Sequence, residues 1–389
     1  MLLGIRGYTS IKIIEELIKK NDAFNVDDLN LDDKEAFLSK QKKFTEKFDY
    51  FVGTSSGGLI SFCLAVNYNI LNVKKIYLDS KKYLKKNWLG TLFASKYDPS
   101  VIHNEIDKII DGLAFPGKTF VSRASEHATL FDLRNLLNPH HIIHEDEMEA
   151  AKITYGNLEF IDGNDRNGAD DKNQRNRFYK VPREKVLLII AYNATAKTRE
   201  VFNTSDAKYW GYRIADVLKA AMAIPIYFPI QKVYPGTQKD GCFTPEGSPE
   251  LYLDGGICTY HPEVDALLAI GMQWKKPVNF HLLCIGAGSS TTTISSYSWG
   301  SYLGFILNWS RVVDTFMDAA ADFTESVVSG LAGFGKIKRM KLNYKIAKPM
   351  ALDDPDFVHV FDNEWEKYLK HEDDFNALLY FYHKYILNK

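Results

Sequence analysis

The chain lacks any apolar run approaching the ~20 residues that a membrane-spanning helix needs. Met1-Leu2-Leu3 is too short for the apolar heart of a signal peptide, and Arg6 interrupts it at once. Cysteine is scarce: Cys63, Cys242, Cys258 and Cys284 stand apart, with no CxxC pair and no disulfide-like spacing. Unpaired thiols in a reducing compartment fit that usage, so the expectation is a cytoplasmic protein. An excess of charge of one sign is missing too, since 48 basic residues meet 49 acidic ones. No global field then recruits nucleic acid, and any attraction to a membrane must come from a local patch. No internal repeat or convincing linker divides the chain, which predicts a single domain over 1–389.

What is present suffices for a large core: 46% of the 389 residues are hydrophobic and 13% aromatic. Ile11 to Lys20 (IKIIEELIKK) carries apolar residues at helical spacing with lysines at its far end, which predicts a helix. Asp22 to Lys47 is polar and charged, a solvated helix or loop. Phe48 to Val52 ends on Gly53 and reads as a buried strand, and Gly57 to Val66 (GGLISFCLAV) as a buried helix. Gly156 to Arg177 is rich in Asn, Asp, Gly and Arg and reads as a polar surface insert. Lys185 to Tyr192 (KVLLIIAY) suits a strand covered on both faces, and Leu251 to Leu253 and Phe280 to Ile285 are further buried-strand candidates. Helical stretches at Ile214 to Ala223 and Pro262 to Gly271 lie between them. Strands alternating with helices predict an α/β sandwich with a mostly parallel sheet.

Gly53-Thr54-Ser55-Ser56-Gly57-Gly58 is a G-x-S-x-G match between a predicted strand and a predicted helix. A nucleophile on such a turn has strained backbone angles, and the residues two before and two after must be tiny to avoid collision. The following helix N-terminus favours developing negative charge. A glycine-rich turn packing a helix on a sheet would carry the same letters; Ser56 is out of frame with the glycines. Leu253-Asp254-Gly255-Gly256 sets a carboxylate at the end of a short strand, where open α/β sheets place their sites, although Asp-Gly is also an ordinary hairpin turn. Gly4-Ile5-Arg6-Gly7 precedes the first helix, and its amides are candidates to hold an oxyanion.

These three pieces, in this order, resemble the patatin-like phospholipase family, which joins an Asp-Gly-Gly-Gly-x-Arg-Gly loop, a G-x-S-x-G elbow and an Asp-Gly-Gly or Asp-Gly-Ala. Ala220 to Pro229 (AAMAIPIYFP) resembles the family's small-residue helix and Pro-x-Tyr-Phe-Pro turn. Leu283 to Gly288 (LCIGAG) is similar to its Ser-Leu-Gly-Thr-Gly strand end, and Trp299 onward through Met317 to Asp322 resembles the C-terminal helices of plant-type members. The resemblance implies a three-layer α/β/α sandwich with C-terminal helices from about residue 299. It implies a Ser–Asp dyad in which Ser55 attacks the acyl carbonyl and Asp254 accepts its proton. An aspartate with an ordinary pKa of ~3.9 is a weak base, so the site must desolvate and align it. Water then hydrolyses the acyl-enzyme. The implied substrates are glycerolipid acyl esters, cleaved without calcium or any cofactor, and no EF-hand pattern speaks against that.

The sequence departs from the family pattern at Met1, Leu2 and Leu3, which stand where the family has Asp-Gly-Gly, and the family strand expected before that loop has no counterpart. Either an upstream start supplies the whole loop, or oxyanion stabilisation rests on the amides of Gly4, Ile5 and Arg6. A genuine loss would leave a weakened, lipid-binding protein, since one lost donor costs ~10²–10³ in rate. Tyr260-His261-Pro262 replaces the family's Asn-Asn-Pro after Asp254-Gly255-Gly256. His261, His281 and His359 are the candidates for a conventional Ser–Asp–His triad, the arrangement of an esterase for small esters. Lys74, Lys75, Lys81, Lys82, Lys85 and Lys86 among Tyr77, Tyr83 and Trp88 suit either an anionic lipid surface or a solvated amphipathic helix. His140, His141 and His144 have helical spacing, but Pro139 and the following Glu-Asp-Glu favour an exposed turn, and no metal is expected. Cys63 reads as core.

Overall fold

A computed structural model describes residues 6–21, 34–79, 95–140, 142, 184–259, 261–273, 279–290, 322–333, 335–346, 354, 356–369 and 373–387. In chain order the helices are α1 (Gly7–Lys19), α2 (Lys34–Thr45), α3 (Ser56–Ala65), α4 (Ile70–Leu78), α5 (Ser100–Asp111), α6 (Ala124–His127), α7 (Leu130–Leu137), α8 (Ile214–Ala221), α9 (Glu263–Gln273), α10 (Phe357–Tyr368) and α11 (Asp373–Phe381). The strands are β1 (Tyr50–Thr54), β2 (Val186–Asn193), β3 (Thr198–Asn203), β4 (Gln231–Val233), β5 (Gly236–Lys239), β6 (Cys242–Pro245), β7 (Glu250–Asp254), β8 (Phe280–Ile285), β9 (Ser289–Ser290), β10 (Ile337–Leu342) and β11 (Lys345–Ile346). No helix among the described residues is long and apolar enough to cross a membrane.

The apolar patterns explain which elements end up inside. In α1 the spacing of Ile11, Ile14, Leu17 and Ile18 buries one stripe, while Lys19 and Lys20 close the helix where its dipole favours cations. The α3 sequence is apolar all round, and Leu59, Ile60, Phe62, Cys63 and Leu64 are all buried, so this helix runs through the core. Burying each Leu or Phe in this way stabilises by about 1.5–3 kcal/mol. In β2 the two faces part company. Leu187, Ile189 and Ala191 join the main core with α1, α3 and α8, whereas Val186 and Leu188 pack with Ala266 and Ile270 of α9. Helices therefore cover both faces of this strand, as its unbroken apolar run predicts.

The sheet is mixed rather than mostly parallel among the described residues. β1 pairs with β2 in parallel, and β8 pairs with β10 in parallel in a separate two-stranded piece. β3 and β7 both run antiparallel to β2, and β4 runs antiparallel to β7. Connection length explains β3: four residues separate it from β2, enough for a hairpin and far too few for a parallel crossover. Its turn has Lys197 at φ 56°. β3 to β6 have no counterpart among the expected elements, because these strands are short and polar on their open faces. β8 is half-buried along its length rather than buried. In the stretch from Asp22 to Lys47, residues 34–45 form α2, which buries Phe37 and Phe44 instead of lying fully solvated.

One consequence of the register decides where chemistry can occur. β1 and β7 lie end to end along the same edge of β2, with Thr54 opposite Ile190 and Asp254 opposite Ala191. The two strands run in opposite directions, so their carboxyl ends meet at consecutive residues of β2. The polar insert at 156–177 and the stretch from 299 to 321 lie outside the described residues.

Candidate active site

Ser55 stands at the β1–α3 junction with φ 56° and ψ −131°, a conformation that a non-glycine residue adopts only under strain. This is the sharp strand-to-helix turn that a nucleophile elbow requires. Ser55 occupies the N-cap of α3 but makes no side-chain cap bond, so its hydroxyl is not spent on the helix. The Gly58 N–H donates to the Ser55 carbonyl at 2.9 Å, and Ser61 Oγ donates to the Val52 carbonyl at 2.9 Å, tacking α3 onto β1. At Gly53 a Cβ would overlap the Gly57 carbonyl and stand 2.6 Å from the Gly58 nitrogen. At Gly57 a Cβ would meet none of the described residues within 4 Å, so the expected collision exists on one side of the motif and not the other.

Asp254 closes β7 directly beside this turn. Its N–H donates to the Ala223 carbonyl at 2.9 Å, and its Oδ1 accepts from the Gly256 N–H at 2.7 Å. A Cβ at Gly255 would overlap the Ile190 carbonyl and stand 2.5 Å from Thr54 Oγ1, which limits the crossing to glycine. Ala223 begins the turn after α8, where Ile226 sits at φ 73°, a costly angle for a β-branched residue. That strained turn thus holds the backbone of the carboxylate residue, a role no sequence signal pointed to.

Burial raises the Asp254 pKa above its ordinary value, against the opposing pull of the Ser55 hydroxyl and the Gly256 N–H. Ser55 is fully buried and Asp254 2% exposed. The hydroxyl lies near enough to favour the ionised carboxyl, but the alignment stops short of a full hydrogen bond: Ser55 Oγ and Asp254 Oδ2 both lack a well-formed partner. Thr9 Oγ1, Thr54 Oγ1, Ser56 Oγ and Tyr77 OH are likewise buried without one. Buried polar atoms are rarely left so, and Thr54 and Ser56 flank Ser55 directly along the chain.

Of the expected oxyanion residues, Gly4 and Ile5 lie outside the described residues. Arg6 is buried at the N-cap of α1, and Gly7 opens the helix. The Tyr77 ring stands 2.7 Å from the place a Gly7 Cβ would take, and its hydroxyl faces Ser56, next to Ser55. Burial pushes the Tyr77 pKa up, so the phenol stays protonated. One buried tyrosine therefore seats both the start of α1 and the elbow. The surface reading of Tyr77 is overturned, because the neighbouring lysines masked a core residue.

Lys74 is similarly withdrawn from the expected lipid patch: its Nζ lies 2.6 Å from Glu15 Oε2 of α1. Lys19 binds the other oxygen of Glu15 at 2.7 Å, and together these bonds lower the Glu15 pKa against its desolvation. Lys75 is exposed, whereas Lys81, Lys82, Lys85, Lys86, Tyr83 and Trp88 lie outside the described residues. His140 is exposed, His141 and His144 are outside, and no cluster of three metal-ligating groups occurs among the described residues. Cys63 is core, its thiol pKa raised by burial.

No histidine stands among the groups acting on Asp254. His261 faces Lys341 Nζ at 3.3 Å, and burial drives its pKa down to about 4. His281 Nδ1 lies 2.6 Å from the Tyr385 carbonyl, and His359 is exposed on α10. Replacing each of the three singly by glutamine should leave kcat within about threefold of the parent, since histidine bases contribute ~10²-fold or more where they act. A loss of a hundredfold at any one of them, in a variant of normal stability, would reinstate a triad.

A strained serine at a strand-to-helix turn and a buried aspartate are thus brought to neighbouring positions along one strand. The profile described as Patatin-like phospholipase matches residues 4–267. The chain belongs to the patatin-like phospholipase family. No curated protein matches it. The family match takes in Gly4 to Gly7, the elbow, the Ala220 to Pro229 turn and Asp254, and ends within α9. It does not extend to Leu283 to Gly288 or to Trp299 to Asp322, where a likeness was also expected. Membership implies a lipid acyl hydrolase.

Proposed function

We propose that this patatin-like protein is a calcium-independent acyl hydrolase that cleaves fatty-acyl esters of phospholipids or related glycerolipids. Ser55 attacks the acyl carbonyl while Asp254 takes its proton and passes it to the departing ester oxygen; the lysophospholipid or alcohol leaves, an acyl-enzyme remains and Asp254 is again a carboxylate. The same carboxylate then activates water, and fatty acid leaves as Ser55 regains its proton. Amides of Gly4, Ile5 and Arg6 hold the oxyanion in both steps. The observation that carries this reading is the convergence of β1 and β7 on Ile190 and Ala191, which sets the strained serine beside the buried carboxylate. Contact with the membrane surface is transient in this reading, with Lys75 as the exposed member of the basic stretch among the described residues.

Fatty-acid release from mixed phospholipid vesicles in excess chelator, compared with Ser55→Ala, tests it. Release that vanishes in the variant is the expected result. A folded wild-type chain that binds vesicles yet releases nothing would instead identify a lipid-binding protein.

A further inference from the structure

Nine large apolar side chains are exposed among the described residues, and the three isoleucines among them, Ile226, Ile230 and Ile257, all stand close to Asp254 along the backbone. Ile226 is three residues after Ala223, whose carbonyl accepts the Asp254 N–H at 2.9 Å. Ile230 leads into β4, where Gln231 lies opposite Tyr252, two residues before the carboxylate. Ile257 ends the one-turn helix that the Asp254 side chain caps. Isoleucines exposed singly would need no explanation, but three gathered around one buried acid do.

Ile226 is the least expected of the three. Its φ of 73° is a left-handed angle that a β-branched residue adopts at a cost, and 49% of its surface is open to solvent. Neither backbone preference nor burial accounts for an isoleucine there; glycine or asparagine would suit both the angle and the water. A residue that breaks a local rule without an internal gain points to a gain made outside the molecule. The turn itself is well fixed. The Lys96 N–H donates to the Ile226 carbonyl at 2.7 Å, the Tyr97 N–H to the Tyr227 carbonyl at 2.9 Å, and the Phe228 N–H to the Ile224 carbonyl at 2.8 Å. Tyr227 and Phe228 are buried, which leaves Ile226, Pro229 and Ile230 on the outside.

Positive charge accompanies the turn. The Lys96 ammonium lies 5.3 Å from the centre of the Tyr97 ring and 5.1 Å from that of Tyr227, and Lys232 is exposed in the middle of β4. The carboxylates of the same segments have partners within the fold. Asp98 Oδ1 accepts from the Ser100 N–H at 2.9 Å, and Glu250 Oε2 accepts from the Tyr252 hydroxyl at 2.8 Å and the Asn193 amide at 3.1 Å. Apolar tips beside lysines suit a bilayer that contains anionic lipid, with isoleucines among the acyl chains and ammonium groups at the phosphates. We propose that the turn at residues 225–230, together with Ile257, is the surface by which the protein docks onto an anionic phospholipid bilayer. Docking there brings the bilayer to the sheet edge that carries Asp254, a purpose that rests on the acyl-hydrolase reading above.

The test uses the full chain carrying Ser55→Ala, so that binding is read without turnover. Co-sedimentation with vesicles is measured for that parent and with Ile226→Asn, Ile230→Ser, Ile257→Ser or Lys232→Gln added. Each isoleucine replacement should lower the partition coefficient about fivefold, both on phosphatidylcholine vesicles and on vesicles of phosphatidylcholine and phosphatidylserine in equal parts. Lys232→Gln should lower it about fivefold on the anionic vesicles and leave it unchanged on the neutral ones. Asparagine accepts a left-handed angle, so Ile226→Asn should unfold at no lower urea concentration than its parent, which separates lost binding from lost folding. Equal partition of the parent and the isoleucine variants would overturn the proposal, as would a parent that does not bind vesicles. So would isoleucine variants that change the oligomeric state in sedimentation velocity but not the partition, which assigns the surface to a second copy of the chain. If the parent binds through these isoleucines and the wild type releases no fatty acid, the docking surface stands and the acyl-hydrolase reading falls.

Discussion

Ser55→Ala and Asp254→Asn should each lower kcat by roughly 10⁴-fold or more, and the double variant should lose no more than the worse single one. In the proposed mechanism the two groups perform one proton transfer, so removing either removes the step. Asp254→Asn is the more informative. It keeps the shape and the acceptor that the Gly256 N–H uses at 2.7 Å, deleting only the charge. Because burial raises the Asp254 pKa, ionised base accumulates only above the ordinary aspartate value of 3.8. kcat/KM should therefore fall on the acid side as pH drops through that raised pKa, with unit slope. The linkage has the opposite sign for stability. A carboxyl that holds its proton more tightly folded than unfolded weakens the fold as pH rises through that window. Asp254→Asn removes the penalty, so it should unfold at higher urea concentration than the wild type at neutral pH. An asparagine variant that is both active and less stable would remove Asp254 from the role of base.

That opposition between stability and activity explains what was legible beforehand. The turns at Ser55 and Asp254 stood out in the sequence because close packing forces their neighbours: Gly53 and Gly255 are demanded by backbone atoms within a short radius. The β2 run and the α3 helix could be read because burial on every side leaves no room for polar letters. Sheet direction was not legible in the same way. Residues along β2 are equally apolar whether their neighbours run parallel or antiparallel, and β3, β4 and β7 are too short to show a pattern. Tyr77 was hidden for a different reason. It packs across the fold against α1, and nothing adjacent in sequence marks a tyrosine among lysines as buried. Contacts made at long sequence separation leave no local signature.

Gly53→Ala should destabilise the protein by about 3 kcal/mol or more, while Gly57→Ala should leave it as stable as the wild type or slightly more so. The two glycines look equivalent in the motif, and their surroundings separate them. A methyl group at Gly53 runs into the Gly57 carbonyl and the Gly58 nitrogen, which are main-chain atoms and cannot rotate away. Relief requires prising α3 off β1, yet Ser61 is bonded to Val52, and Leu59, Phe62 and Cys63 are packed with at most 0% exposure. The strain would fall on the turn that sets the φ of Ser55, so activity per folded molecule should drop as well. At Gly57 no described residue opposes a Cβ, and alanine is favoured over glycine within a helix by up to about 1 kcal/mol. Urea titrations of both variants, read as a change in midpoint at constant slope, make the comparison. Equal stability of the two variants would show that the β1–α3 contact is not the constraint that fixes the first glycine of the elbow.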